Sequence, residues 1–260
     1  MAAFSPGTAS RSPGSREYGR EALQACPVLE PADMDTDALD EALVRHVHAG
    51  RVDYPGLARS PAFAGYLADI ARVRRGAATD ADWLAFLINS YNALAIGAVL
   101  DGLSPASLLG RLRFFLLRRH RIGGRYRTLY GLEHAELMAM GEPRIHFAIV
   151  CASASCPPLR PAAYRPATLP ALLDADAREF VNDPRRNRFD PATGIARLSR
   201  IFRWYRGDFG AGTGALQAWL AGYVADPEVA DRLAAGVFRI EYLRYDWSLN
   251  GTPPDSRRRP

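Results

Sequence analysis

The sequence lacks lysine and contains few cysteines. All 33 residues counted as Lys or Arg are therefore arginine, against 28 acidic residues, and the net charge of +5 is modest. Three cysteines in 260 residues do not make a disulfide-stapled secreted scaffold. The sequence also has no glycine-rich phosphate loop, no nucleotide-binding fingerprint and no carboxylate metal cage, so ATP, NAD and calcium have no support. We expect no cofactor.

No secretory signal and no clear membrane-spanning segment stand out. Residues 1–16 are mainly Ser, Gly, Pro and Ala with two arginines, and no apolar segment follows them. The longest uncharged run, residues 83–100, has Asn89, Ser90 and Asn92 in its middle. These residues are ordinary in a buried helix and costly in hydrocarbon. We therefore expect no transmembrane segment, reduced thiols and a cytoplasmic location.

Composition divides the chain into a leader, one domain and a tail. Residues 1–25 predict a disordered leader and residues 251–260 a basic disordered tail. No long linker, repeat or low-complexity tract interrupts residues 26–250, and 48% of the chain is hydrophobic, enough for a sizeable core. We predict a single α+β domain in which several helices pack on a small, mostly antiparallel sheet.

Local signals place the main elements along the chain. Thr79 or Asp80 can cap a long helix that ends near Leu100, because both side chains accept from the free N–H groups of a first turn. Further helices are predicted over residues 35–47, 61–73, 129–140, 167–182 and 199–205, hairpins over residues 118–127 and 187–198, and strands over residues 144–151 and 238–245.

Five ordered blocks of the sequence resemble a known family. Residues 82–94, DWLAFLINSYNAL, are similar to a W-x-x-F-x-I-N-x-Y-N-A signature. The other blocks follow in order at residues 132–134, 144–159, 198–205 and 245–250. Together they resemble domain-of-unknown-function family 547, which has bacterial and plant members. The resemblance implies no agreed activity, so function must be argued from the residues.

Residues 144–159 contain the strongest candidates for chemistry. If residues 144–151 form a strand, Cys151 packs with core side chains and His146 points to the opposite face. Cys156 lies past that strand and before a proline, so a loop can bring it towards His146 or His134. We therefore prefer Cys156 to Cys151 as a nucleophile whose pKa is lowered by an imidazole. The alternative is a buried Cys151 with a structural or redox-sensitive Cys156.

Two acidic residues are candidates for orienting an imidazole. Glu133 precedes His134 at the start of a predicted helix, where the pair can act as base and orienter or can lie on a solvated helix face. Asp246 follows the last predicted strand. It can complete a cysteine–histidine–acid site of the papain-like or transglutaminase-like kind, or it can cap a turn. Those folds keep the nucleophilic cysteine on their long helix. The long helix of this chain contains no cysteine, and this counts against the analogy.

A polar line runs along the long, otherwise apolar helix. Asp82, Asn89 and Asn92 share one face of it, and buried amides must be hydrogen-bonded. The helix therefore either lines a polar cavity or holds a loop in place. We favour the second interpretation, with the loop between Cys151 and Cys156 as the candidate.

Metal and nucleic-acid sites are less well supported. His134, His146, Cys151 and Cys156 are residue types that bind zinc, but a C-x4-C spacing without a second knuckle does not predict a zinc site, and we expect no metal. Residues 111–127 hold seven arginines interleaved with aromatic residues. This segment is a candidate surface for an anionic partner, although a helix and hairpin that simply expose arginine produce the same pattern. Nucleic acid is not favoured, because the net charge is modest.

The favoured hypothesis is a cysteine-dependent hydrolase or acyltransferase that acts on a small-molecule or peptide substrate. The nucleophile would be Cys156 or Cys151, and His134 or His146 would be the base. Glu133 or Asp246 would orient the base, and backbone N–H groups of the small-residue loop would form the oxyanion hole. The competing hypothesis is a non-catalytic binding or scaffold module with a structural or redox-sensitive cysteine pair. A catalytic thiol should be exposed, lowered in pKa and unpaired, whereas a structural pair should be buried or disulfide-linked. If neither sulfur lies within hydrogen-bond reach of an imidazole, allowing for the looser contacts of an unliganded site, the first hypothesis is contradicted.

Overall fold

The computed structural model describes residues 27–254, and the predicted leader lies outside the described residues. The helices are α1 Thr36–His46, α2 Tyr54–Leu57, α3 Pro61–Asp69, α4 Asp80–Leu100, α5 Leu108–Arg111, α6 Leu129–Leu132, α7 Ile145–Ala148, α8 Leu169–Asn182, α9 Ile201–Trp204, α10 Gly212–Ala221 and α11 Pro227–Ala234. Two π-helical segments, Leu112–Leu117 and Glu133–Leu137, continue α5 and α6. Short 3-10 turns lie at Pro31–Asp33, Met138–Met140, Pro166–Thr168 and Arg206–Phe209.

The strands are short and are divided among three small sheets in this part of the chain. They are β1 Val47–His48, β2 Arg51–Asp53, β3 His120–Ile122, β4 Arg125–Arg127, β5 Arg188–Asp190, β6 Ile195–Leu198, β7 Arg239–Tyr242 and β8 Gly251–Thr252. The sheets have the orders β1-β2-β8, β3-β4 and β5-β6-β7. The β2–β8 and β6–β7 pairs are parallel, and the other three pairs are antiparallel. The predicted α+β class is confirmed.

Helix α4 runs through the first hydrophobic core. Thr79 caps it in a reciprocal capping box with Asp82, and every residue from 84 to 99 is buried. By length and composition alone α4 could cross a membrane, but 89% of its most apolar window is buried inside the protein. Burial on all sides explains why this helix is apolar all round, since each of its faces packs against protein.

The predicted strand over residues 144–151 is wrong. Ile145–Ala148 form a helical turn in which the N–H of Ile149 donates to the carbonyl of Ile145 at 3.0 Å. All four residues of this turn are buried, so the apolar run has no periodicity that separates a strand from a helix. Beyond the turn, the side chain of Asn92 bonds the backbone groups that a neighbouring strand would otherwise have bonded.

The two hairpins appear where local turn signals predict them. β3 and β4 join at Gly123 and Gly124, both with positive φ, and β5 and β6 enclose a second turn. The strand predicted over residues 238–245 is shorter in the structure, where β7 covers Arg239–Tyr242. At the other end, residues 251–252 form strand β8 past the expected domain end at residue 250, because they pair with β2, so the disordered tail predicted from residue 251 is wrong for these two residues. A Cβ on Gly251 would lie 2.0 Å from the carbonyl oxygen of Val52, so this pairing needs glycine.

Buried side chains form two hydrophobic clusters that meet at α7. The first surrounds α4, and the second is rich in aromatic residues, including Phe147, Phe180 and Phe202. Ile145 packs in the first cluster, its neighbour Phe147 in the second, and Cys151 contacts both. The segment that carries the cysteines therefore lies at the boundary between the two cores.

Candidate functional site

A cavity of about 680 Å³ opens at the boundary between the two cores. Its wall is mainly apolar, with leucines from α5 and the π-helical segment after it and with Phe115, Trp204 and Trp247. A few polar groups face the cavity from the other side. Such a combination of a large apolar surface and a few convergent polar groups is typical of a ligand or substrate site.

Five of the six residues predicted to be catalytic line this cavity. They are Glu133, His134, His146, Cys151 and Cys156. The prediction that His146 points away from Cys151 rested on the strand and is therefore wrong.

Asp246 is not among the residues that line the cavity. Its carboxylate accepts the N–H of Ser248 at 2.9 Å, and this bond and others hold its pKa below the usual range. Asp246 thus makes a turn contact near the loop between the cysteines. No described contact links it to an imidazole.

Cys151 and Cys156 are reduced thiols in direct contact. The Sγ of Cys156 donates to the Sγ of Cys151 at 2.8 Å, and the N–H of Cys151 donates to the Sγ of Cys156 at 2.8 Å. The Sγ of Cys151 also lies 3.0 Å from the Ser153 hydroxyl and 3.3 Å from the Tyr245 hydroxyl. The Ser153 hydroxyl also lies 3.0 Å from the Tyr245 hydroxyl, to which it can donate. The sulfur of Cys151 therefore lies among three groups that are able to donate hydrogen bonds, two hydroxyls and one thiol.

These contacts give the two thiols opposite acidities. Burial raises the pKa of Cys151, but hydrogen bonds from Cys156, Ser153 and Tyr245 outweigh it and lower the pKa to about 7. Burial and the neighbouring Cys151 sulfur raise the pKa of Cys156 well above its usual range. The thiolate at neutral pH thus forms on Cys151, although the sequence favoured Cys156. The expectation of an acidic Cys156 fails because the loop turns that residue inwards.

The loop between the two cysteines is held by the chain's C-terminal segment. Ala152 has a φ of 60°, a left-handed conformation that is uncommon outside glycine, and its carbonyl accepts the N–H of Asn250 at 3.1 Å. The N–H groups of Ala154, Ser155 and Cys156 donate to the carbonyls of Ser248, Asp246 and Ser153. These N–H groups are already bonded, so they do not form the predicted oxyanion hole.

Two amides on α4 hold the segments on either side of this loop. The Asn92 amide donates to the carbonyl of Ala148 at 2.9 Å and accepts the N–H of Val150 at 2.8 Å. Asn89 makes the same pair of bonds with the backbone of Tyr164, at 2.8 and 2.9 Å. Asp82 lies at the exposed helix start and belongs to the capping box. Asn92 therefore fixes the backbone immediately before Cys151.

His146 is a buried imidazole with a carboxylate partner. Its Nε2 lies 2.6 Å from Oδ2 of Asp208, and its ring stacks on Tyr205 with centroids 3.9 Å apart. Burial lowers the pKa of His146, although the nearby Asp208 carboxylate acts in the opposite direction. The lowered pKa favours the neutral form of the imidazole. Because the carboxylate only accepts, Nε2 carries the proton and Nδ1 is an acceptor. Nδ1 has no hydrogen-bond partner among residues 27–254.

Neither thiol is hydrogen-bonded to an imidazole in the part of the chain that the structure describes. His134 is exposed, stacks on Tyr130 with centroids 3.8 Å apart, and has its Nδ1 3.1 Å from the Tyr130 carbonyl. The prediction that an imidazole lowers the cysteine pKa is therefore wrong. Hydroxyl and thiol donors lower it instead. The imidazoles and the Cys151 sulfur face the cavity as separate groups.

Glu133 is a buried carboxyl bonded to two tyrosines. It accepts from the hydroxyl of Tyr91 at 3.1 Å and from the hydroxyl of Tyr205. Burial raises the pKa of Glu133. Its hydrogen bonds join the cavity wall to α4, and it makes no hydrogen bond to the ring nitrogens of His134.

The four residues of zinc-binding type do not converge on one point, although the two cysteine sulfurs are in contact. Over residues 27–254, no group of three or more His, Cys, Asp or Glu side chains is arranged to hold a metal ion. His146 is engaged with Asp208, and His134 with Tyr130. The groups that the cavity offers for chemistry are the thiols, the imidazoles and the tyrosine hydroxyls.

Several residues of the site were missed by sequence reasoning. Tyr205 ends the block at residues 198–205 and Tyr245 begins the block at residues 245–250, so block membership was the available signal. Ser153 lay within a recognised block but was treated only as a small residue. Asp208 follows Tyr205 by three residues and carried no signal of its own.

The Tyr245 hydroxyl provides a test of how the thiol is activated. In Tyr245→Phe, the Cys151 thiolate loses a hydrogen-bond donor, so we expect the pH of half-maximal alkylation to move upwards towards that of an ordinary thiol. Alkylation rates measured across pH would show this shift. Tyr242→Phe is the matched control, because no hydrogen bond of its hydroxyl is seen at this site, and it should leave the profile unchanged. Identical profiles for the two variants would contradict this assignment.

Residues 77–181 match the family described as "Protein of unknown function, DUF547". The matched residues include α4, α7, Glu133, Cys151 and Cys156, so they carry one wall of the cavity together with the loop between the two cysteines. No curated protein and no solved structure matches the chain. The blocks at residues 198–205 and 245–250, which supply Tyr205 and Tyr245, lie outside the matched residues. Over residues 77–181 the chain therefore matches the DUF547 family of proteins of unknown function, the family that its sequence blocks resemble.

Proposed function

We propose that the protein is a cysteine-dependent hydrolase or acyltransferase whose nucleophile is Cys151. One observation carries the proposal: a thiol with a pKa of about 7 lies in the wall of a large apolar cavity. The thiolate is the reactive form of cysteine, and an acidic thiol in a cavity is a candidate functional group on physical grounds. A purely structural buried thiol has no need of three groups around its sulfur that are able to donate hydrogen bonds.

The proposed reaction is acyl transfer through a thioester. The Cys151 thiolate attacks the carbonyl carbon of an ester, thioester or amide, and a C–S bond forms. The tetrahedral intermediate collapses, the bond to the leaving group breaks, and the leaving group takes up a proton from water. Water or a second nucleophile then attacks the thioester, gives up its proton to a base and releases the sulfur as thiolate. Hydrolysis and transfer differ only in that second nucleophile.

His146 is the base in this proposal. Its imidazole is neutral, is oriented by Asp208 and has an acceptor Nδ1 without a partner among the described residues. It lines the same cavity as Cys151 but is not bonded to the thiol, so its role falls in the second step. There it would take the proton of a water or acceptor molecule that lies between the two groups.

The cavity lining favours a substrate with an apolar acyl group. Leu108, Leu112, Phe115, Trp204 and Trp247 lie along the wall, and such side chains bind hydrocarbon or aromatic groups by removing them from water. A small molecule or a peptide with an apolar side chain satisfies this requirement.

A second candidate function is a non-catalytic binding or scaffold module with a redox-sensitive cysteine pair. The distance of 2.8 Å between the two sulfurs favours it, as does the lack of a thiol–imidazole bond among the described residues. An added oxidant such as a low-molecular-weight disulfide would remove both thiol hydrogens and join the two sulfurs. The apolar cavity would then bind a ligand without converting it.

Alkylation by iodoacetamide separates the two candidates. In the native protein we expect Cys151 to be labelled with a half-maximal rate near pH 7, and Cys156 to be labelled only after denaturation. Fragment ions in mass spectrometry assign the label, because the two cysteines are five residues apart. If both thiols react only after denaturation or reduction, the catalytic proposal is wrong and the binding module takes its place.

A further inference from the structure

The mouth of the cavity carries an unusual concentration of exposed apolar side chains. Eleven large hydrophobic residues are exposed between residues 27 and 254, and six of them line this one cavity. These six, which we call the leucine rim, are Leu108, Leu109, Leu112, Leu116, Tyr130 and Trp204. Leu108 is 77% exposed and Leu109 is 54% exposed. A contiguous exposed apolar patch of this kind marks a binding surface.

The local backbone explains why these leucines point outwards. Ser107 caps α5, and the π-helical segment Leu112–Leu117 continues it. Phe114 is fully buried and anchors the segment to the first core, which leaves Leu116 and Leu117 on the outer side. Leu117, 60% exposed, extends the apolar surface beyond the rim. The leucines are thus held outwards by a buried aromatic residue in the same turn.

The charge next to the rim has a single sign. Residues 108–127 contain seven arginines and no acidic residue. Arg118 pairs with Asp101 and Arg127 with Glu136, while Arg111 lies over the ring of Trp247. The other four, Arg113, Arg119, Arg121 and Arg125, are exposed and form no ion pair with any described residue. An apolar surface flanked by unpaired arginines complements a surface that is both apolar and negatively charged.

We propose that the leucine rim and its arginines dock the protein onto anionic lipid bilayers. A bilayer supplies both required properties, because the leucines can enter the boundary of the hydrocarbon while the arginines contact the headgroups. Long arginine side chains keep their charge at the interface while their stems cover apolar surface. Docking in this orientation turns the cavity mouth towards the lipid. The proposal concerns binding alone and holds whether or not Cys151 is catalytic.

Sedimentation of the full chain with lipid vesicles tests the docking surface. We expect the protein to sediment with vesicles of phosphatidylcholine and phosphatidylglycerol, to bind pure phosphatidylcholine vesicles more weakly, and to lose the preference for phosphatidylglycerol as salt is raised. The double variant Leu108→Asp/Leu109→Asp should bind about tenfold or more weakly, because two leucines leave the hydrocarbon boundary and two negative charges enter an anionic surface. Both residues are exposed, so the variant should fold.

A matched control makes the same kind of substitution at a part of the surface away from the rim. Val28→Asp/Val237→Asp also replaces two exposed apolar residues by aspartate, but neither residue lines the cavity, and binding should be unchanged. Equal loss in both double variants would overturn the proposal, as would the absence of sedimentation with either kind of vesicle. If the chain is instead a dimer that Leu108→Asp/Leu109→Asp dissociates, without vesicle binding by either form, the rim is covered by a second copy and the proposal is wrong.

Discussion

Replacing Cys151 with alanine is expected to lower the turnover of p-nitrophenyl esters with apolar acyl groups by about a thousandfold or more, because no thioester can form without the thiol. Release of p-nitrophenolate measures the rate. Mass spectrometry of the wild-type protein after brief incubation should show the acyl group on Cys151. The cavity wall is apolar, so butyryl or longer acyl groups are the appropriate probes.

Cys156→Ala is the informative comparison for this experiment. It preserves the proposed nucleophile but removes the S–H donor that helps to lower the pKa of Cys151. We therefore expect turnover to persist, with the rising part of its pH profile displaced to higher pH. The opposite pattern, in which Cys156→Ala is inactive and Cys151→Ala turns over normally, would contradict the assignment and restore the residue that the sequence favoured.

Replacing Asn92 with alanine is expected to lower the free energy of unfolding by about 2–6 kcal/mol, because it leaves a buried carbonyl and a buried N–H without partners at roughly 1–3 kcal/mol each. Chemical denaturation measures the loss. The two groups that lose their partners are the carbonyl of Ala148 and the N–H of Val150, which lie directly before Cys151. The pH profile of Cys151 alkylation should therefore change as well. This makes Asn92 a positioning residue, acting through the backbone that carries the proposed nucleophile.

Asn182→Ala provides a matched control for the role of burial. The Asn182 amide also donates to a carbonyl, that of Tyr223 at 2.9 Å, and accepts an N–H, that of Ala225 at 2.8 Å. Asn182 is exposed, so water can replace its bonds, and the loss should stay below about 1 kcal/mol. If both variants lost the same free energy of unfolding, burial would not be the reason that the Asn92 hydrogen bonds stabilise the protein.

Sequence reasoning succeeded where the relevant signals were local. The capping residue Thr79 and the paired glycines at positions 123 and 124 act within one turn of chain, so they predict α4 and the β3–β4 hairpin correctly. The strand predicted over residues 144–151 is wrong because every residue of α7 is buried. Nothing in the apolar run itself distinguishes a helical turn from a strand.

The sequence by itself determined the α+β class, the likeness to the DUF547 family, the core helix and the segment that carries the two contacting thiols. Only the tertiary structure decided which thiol is acidic. Cys151 and Tyr245 are 94 residues apart in the chain, and His146 and Asp208 are 62 apart. Neither pairing leaves a periodic or turn signal in the sequence. The pKa of a thiol depends on which donors surround its sulfur in space, so the acidity of Cys151 was settled by how distant segments fold together.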